Sequence, residues 1–323
     1  MNRPYVPQAV LDAAHQRAAA RAAGDWATAD GLRAAIEAAG WRVIDRGTDF
    51  ALEPAQLADI EVDGVVRYGR SSAVPSRLDE PPTAIATVIV VDSTSAASPD
   101  TAWAAGDGAG ATLASLRAYL PAGVQLVLVQ DGRAPDRGPE LVDPPGIEVV
   151  RTATALGHGA AVNAGLRRAA GRVVVLLEPG CEIAGDVITP LVSALADAEV
   201  AVAGSVGLVS DGLRSYRPTT SAGDAIAIGW PILAFRRDDA VAAGPIDERF
   251  VSPDHFDAWW SLLLRDRGPD AAPLGVRVVA DLPIRPPGAP GSDGSRDAEA
   301  ARRAKRNRYR IMDRFRGRGD LGV

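Results

Sequence analysis

From Ile85 onward, strand-sized runs of β-branched apolar residues alternate with helix-length stretches. This alternation constrains the fold more than any other feature of the chain. Ile85–Val91, Val124–Val129, Ile147–Val150 and Arg172–Leu177 read as strands, and Leu113–Leu120, Gly159–Ala170 and Val187–Ala196 as helices. A strand that is apolar throughout must be covered on both faces, and helices between such strands supply that cover through parallel crossovers. The expected fold class is therefore α/β, an open, mostly parallel sheet with helices on both faces. Val200–Val206, Ala225–Phe235 and Val276–Val279 extend the sheet, and Phe256–Leu264 adds a helix.

Upstream, residues 8–39 are Ala-rich and helical, broken at Gly24, with Asp25 as a cap and Gly40 as a stop. A small α-helical hairpin module with a short β tail thus precedes the α/β domain. Composition divides the chain into that module (1–68), a linker (69–83, GRSSAVPSRLDEPPT), the α/β domain (84–290) and a basic C-terminal helix or tail (291–323).

Apolar residues make up 47% of the 323, enough for a sizeable core. The net charge of −6 is uneven: residues 296–318 carry ten basic and three acidic side chains, a local +7, which leaves −13 elsewhere. An acidic body is a poor fit for nucleic acid, which is not an expected partner. The single cysteine, Cys181, excludes an internal disulfide. The N-terminus has no apolar signal core, and no run approaches the roughly 18 to 20 apolar residues of a membrane span. A cytoplasmic location is expected, with the basic C-terminus offering a peripheral contact at the inner face of the membrane.

In open α/β sheets, ligands bind beyond the carboxyl ends of the strands. Asp92, Asp131 and Glu178 fall at such ends. One carboxylate after a strand is commonly a turn former or helix cap. Three on one rim repel one another unless something binds, which points to a site.

The motifs in order are VIVVDSTS (88–95), LVLVQDGRAPD (126–136), LGHGAAVNAGLRRAAGR (156–172), VVVLLEPGCEI (173–183), FRRDDAVAAGPIDERF (235–250) and FDAWWSLLLRDRG (256–268). This series resembles a family 2 glycosyltransferase of GT-A fold, the nucleotide-diphospho-sugar transferase architecture. The resemblance implies an inverting glycosyltransferase (hexosyl- or deoxyhexosyl-transferase) that moves a sugar from a nucleotide-diphosphate donor to a glycan or lipid-linked acceptor, as in cell-envelope polysaccharide synthesis. It implies donor-binding roles for Asp92, Asp131, Gly157, His158, Asn163 and Arg236. Asp257 is the implied catalytic base, with Asp254 as second choice. Glu178 and Glu182 are the implied metal ligands. The family's Asp-x-Asp metal motif is represented here by Glu178-Pro179-Gly180, and Pro283–Gly291 lacks the histidine that many relatives place there. The divalent cation (Mn²⁺ or Mg²⁺) is accordingly expected to bind weakly or not at all. The alternative reading is a catalytically degenerate GT-A-fold protein acting as a nucleotide-sugar-binding or scaffold module.

At the other end, Arg21, Asp25, Trp26, Ala29, Asp30, Arg33, Gly40, Asp45 and Gly47 form a pattern similar to the C-terminal helical appendage of cysteinyl-tRNA synthetases. The expected role of this segment is docking or packing. No synthetase catalytic or zinc motif accompanies it.

Overall fold

The computed structural model describes residues 6–46, 49–54, 57–62, 64–93, 107–132, 145–221, 223–287 and 298–322. The chain divides into two compact units, residues 1–59 and 60–323. In the first, α1 (Gln8–Ala22) and α2 (Trp26–Ala38) form a hairpin, followed by the antiparallel pair β1 (Trp41–Arg46) and β2 (Asp49–Pro54). Asp25 caps α2 by accepting from the Thr28 N–H at 3.1 Å, and Gly40 takes a left-handed φ of 78° just beyond its end. Val10, Ala14, Ile36, Trp41 and Val43 make a small separate core. Arg17 and Arg21 both pair with Asp45, whose hydrogen bond from Arg17 holds its carboxyl down at about 2.

The second unit opens with a short hairpin, β3 (Ile60–Val62) and β4 (Val65–Arg67). Residues 69–83, a linker by composition, are packed into this unit. The Tyr68 N–H bonds Arg151 O, Val74 is buried, and the Arg77 N–H bonds Arg167 O. The main elements follow in chain order: β5 (Ala84–Ser93), α3 (Asp107–Arg117), β6 (Val124–Asp131), β7 (Ile147–Arg151), α4 (His158–Arg167), β8 (Gly171–Leu177), β9 (Glu182–Ile183), α5 (Ile188–Ala194), β10 (Val200–Ser210), β11 (Tyr216–Thr219), β12 (Ala227–Arg236), α6 (Arg237–Ala243), α7 (Phe256–Arg265), β13 (Gly275–Val278), β14 (Ile284–Arg285) and α8 (Ala298–Phe315). Eight of the strands form one sheet in the order β11-β10-β12-β8-β5-β6-β7, with β13 beside β10. The run β8-β5-β6-β7 is parallel, and β12 joins it antiparallel through β8.

Side-chain alternation along the strands builds two cores. Ile89 and Val91 of β5 and Val174 and Leu176 of β8 face α4, α6, α7 and α8. Val88 and Val90 of β5 and Val173, Val175 and Leu177 of β8 face α3 and α5. Gly165 lets α4 lie close on the sheet, because a Cβ there would sit 2.7 Å from Ile89 Cγ2. The chain passes from β5 to β6 and β7 on one side, then crosses to β8 on the other side of β5. That reversal creates a crevice beyond the carboxyl ends of β5 and β8, where open α/β sheets bind ligands.

Helix α8 is an integral part of this unit. Its Asn307, Ile311 and Phe315 are buried, and Asn307 Nδ2 donates to Ser252 O at 3.3 Å and to Asp254 O at 2.9 Å. The charge run of the C-terminus therefore occupies one face of a helix whose other face, at spacings of three and four, is seated on the α/β body.

Candidate active site

A cavity of about 600 Å³ fills the crevice. Its floor is the ends of β5, β6 and β8, which contribute Ser93, Asp131 and Glu178; Trp230 and the 251–254 turn form one wall, and α8 closes another. Ligand sites of this size and placement are the usual ones for nucleotide-scale molecules.

Glu178 lines the cavity. Burial, and then the charge of nearby Asp257, push its carboxyl up to about 7. Asp257 sits at the start of α7 behind the cavity wall, where its Oδ1 accepts from the Ala258 N–H at 2.8 Å and its Oδ2 from the Trp230 N–H at 3.2 Å. Burial lifts Asp257 to about 6 against those hydrogen bonds. The structure thus brings Asp257 and Glu178 together, but it is Glu178 that faces the cavity. Asp254 lines the cavity at the rim, its Oδ2 accepting from Ser252 Oγ at 2.9 Å.

Asp131 lines the cavity and also ties the sheet to α4. It accepts hydrogen bonds from Thr152 Oγ1 (2.9 Å), the Leu156 N–H (2.7 Å) and the Gly157 N–H (3.1 Å), while burial raises its carboxyl above the ordinary range. Asp92 is buried at the end of β5, and Ser93 rather than Asp92 lines the cavity. The imidazole of His158 packs edge-on against Phe256 and Trp230, with ring centres 4.7 and 5.8 Å away, and burial depresses it to about 4. It is therefore neutral at pH 7 and lines the cavity as an uncharged ring.

Other expected site residues bond within the protein. The start of α4 is not an open phosphate cradle: the Leu156 and Gly157 N–H groups bond Asp131, and those of His158 and Gly159 bond Val251 O and Phe250 O. Asn163 spends its amide internally, donating to Ile246 O and Glu248 Oε1 and accepting from the Ile246 N–H at 2.9 Å. It clamps the 246–248 turn to α4 and lies outside the cavity lining. Arg236 binds Leu195 O and Asp197 O beyond the end of α5 and pairs with Asp239 at 2.8 Å. Arg237 is buried and donates to Arg77 O and Glu80 O. Neither arginine is among the residues that line the cavity. Glu182 is an exposed residue of β9, paired with Arg285 of β14 at 3.0 Å, and is not among the residues that line the cavity. Trp259 and Trp260 are core residues.

Gly180 stands where a second Asp-x-Asp acid would be. Its φ is 89°, its N–H bonds Gly108 O and Thr112 Oγ1, and a Cβ would lie 3.0 Å from Pro287. Among the described residues, no three His, Cys, Asp or Glu side chains gather to hold a metal. Residues 94–95 and 133–136 of the quoted motifs, and the expected domain boundary at 290/291, lie outside the described residues.

Two cavity residues escaped sequence reasoning. Trp230 sits inside an apolar strand run, and Arg303 inside a charge run. The available signal for Arg303 was the spacing of Ala300, Ala304, Asn307, Ile311 and Phe315, which marks the inward stripe of α8.

The raised Glu178 carboxyl has a consequence for stability. Below about pH 4.5 both the folded and unfolded chains hold its proton, and it contributes nothing. Between about 4.5 and 7 the unfolded chain releases the proton while the folded chain keeps it, so rising pH favours unfolding. Depression of His158 acts oppositely between about 4 and 6.5, which masks the effect in the wild-type curve. The readout is therefore the difference between Glu178→Gln and wild type. In urea melts, the variant is expected to gain on the order of 2 kcal/mol relative to wild type between pH 4.5 and pH 8. A difference independent of pH rules out the buried, proton-holding carboxyl.

The comparisons agree with this architecture. The family model for glycosyl transferase family 2 matches residues 105–251. Among solved structures, one of GalNAc-T7 with UDP, GalNAc and Mn²⁺ superposes with a TM-score of 0.52 at 15% identity, covering 73% of this chain and 48% of that one. A structure of S. aureus TarS residues 1–349 with UDP gives a TM-score of 0.47 at 15% identity, covering 70% of this chain and 65% of that one. This chain thus spans about half the length of the GalNAc-T7 chain. A stretch of 51 residues is 51% identical to cysteine–tRNA ligase of Opitutus terrae, 16% of this chain and 11% of that protein. No described helix is long and apolar enough to cross a membrane. The second unit thus matches the glycosyl transferase family 2 model over residues 105–251 and is similar in fold to the GalNAc-T7 structure.

Proposed function

We propose that the cavity binds a nucleotide-diphospho-sugar and that the protein transfers its sugar, with inversion, to a hydroxyl of a glycan or lipid-linked acceptor. The observation that carries this reading is Glu178, a carboxylate with a proton affinity near neutrality, at the floor of a nucleotide-sized cavity at the switch point of a GT-A sheet. In a single displacement, the acceptor oxygen bonds the anomeric carbon as the bond to the nucleoside diphosphate breaks. The hydroxyl proton passes to the Glu178 carboxylate. A base whose pKa lies near the working pH is ionised often enough to act and basic enough to take the proton. Asp257 acts from behind the wall: its negative charge raises the proton affinity of Glu178, and its hydrogen bond from the Trp230 N–H fixes the strand beside the donor. Support for a nucleotide-sugar donor comes from the UDP and GalNAc of the GalNAc-T7 structure, whose fold this domain shares.

Titration calorimetry with UDP and GDP tests the reading. One of them is expected to bind at a single site with a dissociation constant in the ~1 μM to 1 mM range, where enzymes commonly hold substrates. Binding of neither overturns it. Gly180 at the place of a second acid favours the rival reading, a fold that binds donor and transfers nothing. Binding of a nucleotide without turnover of its sugar conjugates by any acceptor selects that rival.

A further inference from the structure

The diphosphate of a donor brings negative charge into a cavity whose lining already carries Asp131, Glu178 and Asp254. Something must offset it, and among the described residues several of the expected donors do not point into the cavity. The N–H groups at the start of α4 are bonded within the protein. Arg236 and Arg237 bind backbone carbonyls away from the cavity. Gly180 supplies no second acid for a cation. His158, held down by burial, is neutral at pH 7. Among the described residues, Arg303 of α8 is the cationic side chain that lines the cavity, whatever else it contacts.

We propose that Arg303, carried to the cavity by the C-terminal helix, is the group that binds the donor diphosphate and stabilises it as it leaves. This inference rests on the nucleotide-sugar reading of the same cavity. The seating of α8 makes the assignment structural as well as electrostatic. Ala300, Ala301 and Ala304 line the cavity beside Arg303, and their short side chains leave room for a ligand next to the guanidinium. One turn on, Asn307 fastens the helix to Ser252 and Asp254, and Arg310 lies over the Phe250 ring at 5.7 Å. Ile311 and Phe315 anchor its far end in the core. The helix is therefore held in register, and Arg303 is half-buried at the cavity instead of ranging through solvent. A planar guanidinium presents paired donors that match phosphate oxygens, and in a site shielded from water such a contact holds charge as it develops on a leaving diphosphate.

The test compares UDP with uridine, and GDP with guanosine, in calorimetric titrations of the full chain in EDTA. Wild type is expected to bind the diphosphate of the preferred pair at least about tenfold more tightly than its nucleoside. Arg303→Ala is expected to weaken the diphosphate about 10- to 100-fold and to leave the nucleoside unchanged, the scale of a lost charge-assisted hydrogen bond. Arg303→Lys should recover part of the loss, and Arg302→Ala, altering an exposed neighbour, should change nothing. Melting curves of Arg303→Ala that match wild type exclude unfolding as the cause. If Arg303→Ala binds UDP and GDP as wild type does, the role of Arg303 is overturned while the donor-site reading stands. Its role is likewise overturned if diphosphate binding appears only with Mn²⁺ and is indifferent to Arg303. If wild type binds neither nucleotide nor nucleoside, the donor-site reading itself fails.

Discussion

Glu178→Gln is expected to lower the rate of sugar transfer at pH 7 by about 100- to 10,000-fold, the usual worth of a positioned general base. The amide fills the same space but takes no proton from an acceptor hydroxyl. The effect should fall on kcat. Under the proposed function Glu178 faces the cavity that accepts the diphosphate, so removing its charge should leave UDP or GDP affinity unchanged or slightly tighter. A metal ligand behaves oppositely: its loss weakens nucleotide binding in the presence of Mn²⁺. In wild type, kcat should rise with pH and level off above about 7, as the Glu178 carboxyl loses its proton. A variant that keeps more than a tenth of wild-type kcat removes the base from Glu178 and passes the role to Asp254, the second choice from the sequence, which lines the same cavity.

The second large effect is on stability. Asp131→Ala should cost about 3 to 5 kcal/mol, because it strands the Leu156 and Gly157 N–H groups and Thr152 Oγ1 without their buried acceptor. For a unit of this size that corresponds to roughly 10 °C in melting temperature. The loss concentrates at the junction of β6 and α4, so amide exchange should accelerate first at residues 152–161. A shift of under about 1 kcal/mol means that the three donors find other partners, and Asp131 then matters for ligand contact rather than for holding the loop.

The sheet was legible because its strands are continuous apolar runs between helices, and such runs leave few alternatives to a doubly covered parallel layer. Shorter pairs were not legible. β9 and β14 contribute two residues each, and β11 is a four-residue edge strand with exposed positions, so none of the three carries a period. At the site, a carboxylate at the end of a strand is readable, as Glu178 shows, but the partner of a polar side chain is not. Asn163 bonds Ile246, 83 residues away, and Arg236 bonds Leu195, 41 residues away. Sequence spacing holds no information about such pairings, and the motif letters alone left both residues free to reach a ligand. The inward stripe of α8 was obscured for a different reason. Ala300, Ala304 and Asn307 are small or polar, so the face that seats the helix stands out only weakly from the arginines around it.

The most direct measurement is a crystal structure of the full chain with whichever of UDP or GDP binds more tightly. The expected density lies in the cavity at the ends of β5 and β8, with the diphosphate between Glu178 and Arg303 and the guanidinium within hydrogen-bond distance of a phosphate oxygen. A nucleotide bound elsewhere on the molecule, or a diphosphate turned away from Glu178, contradicts the account.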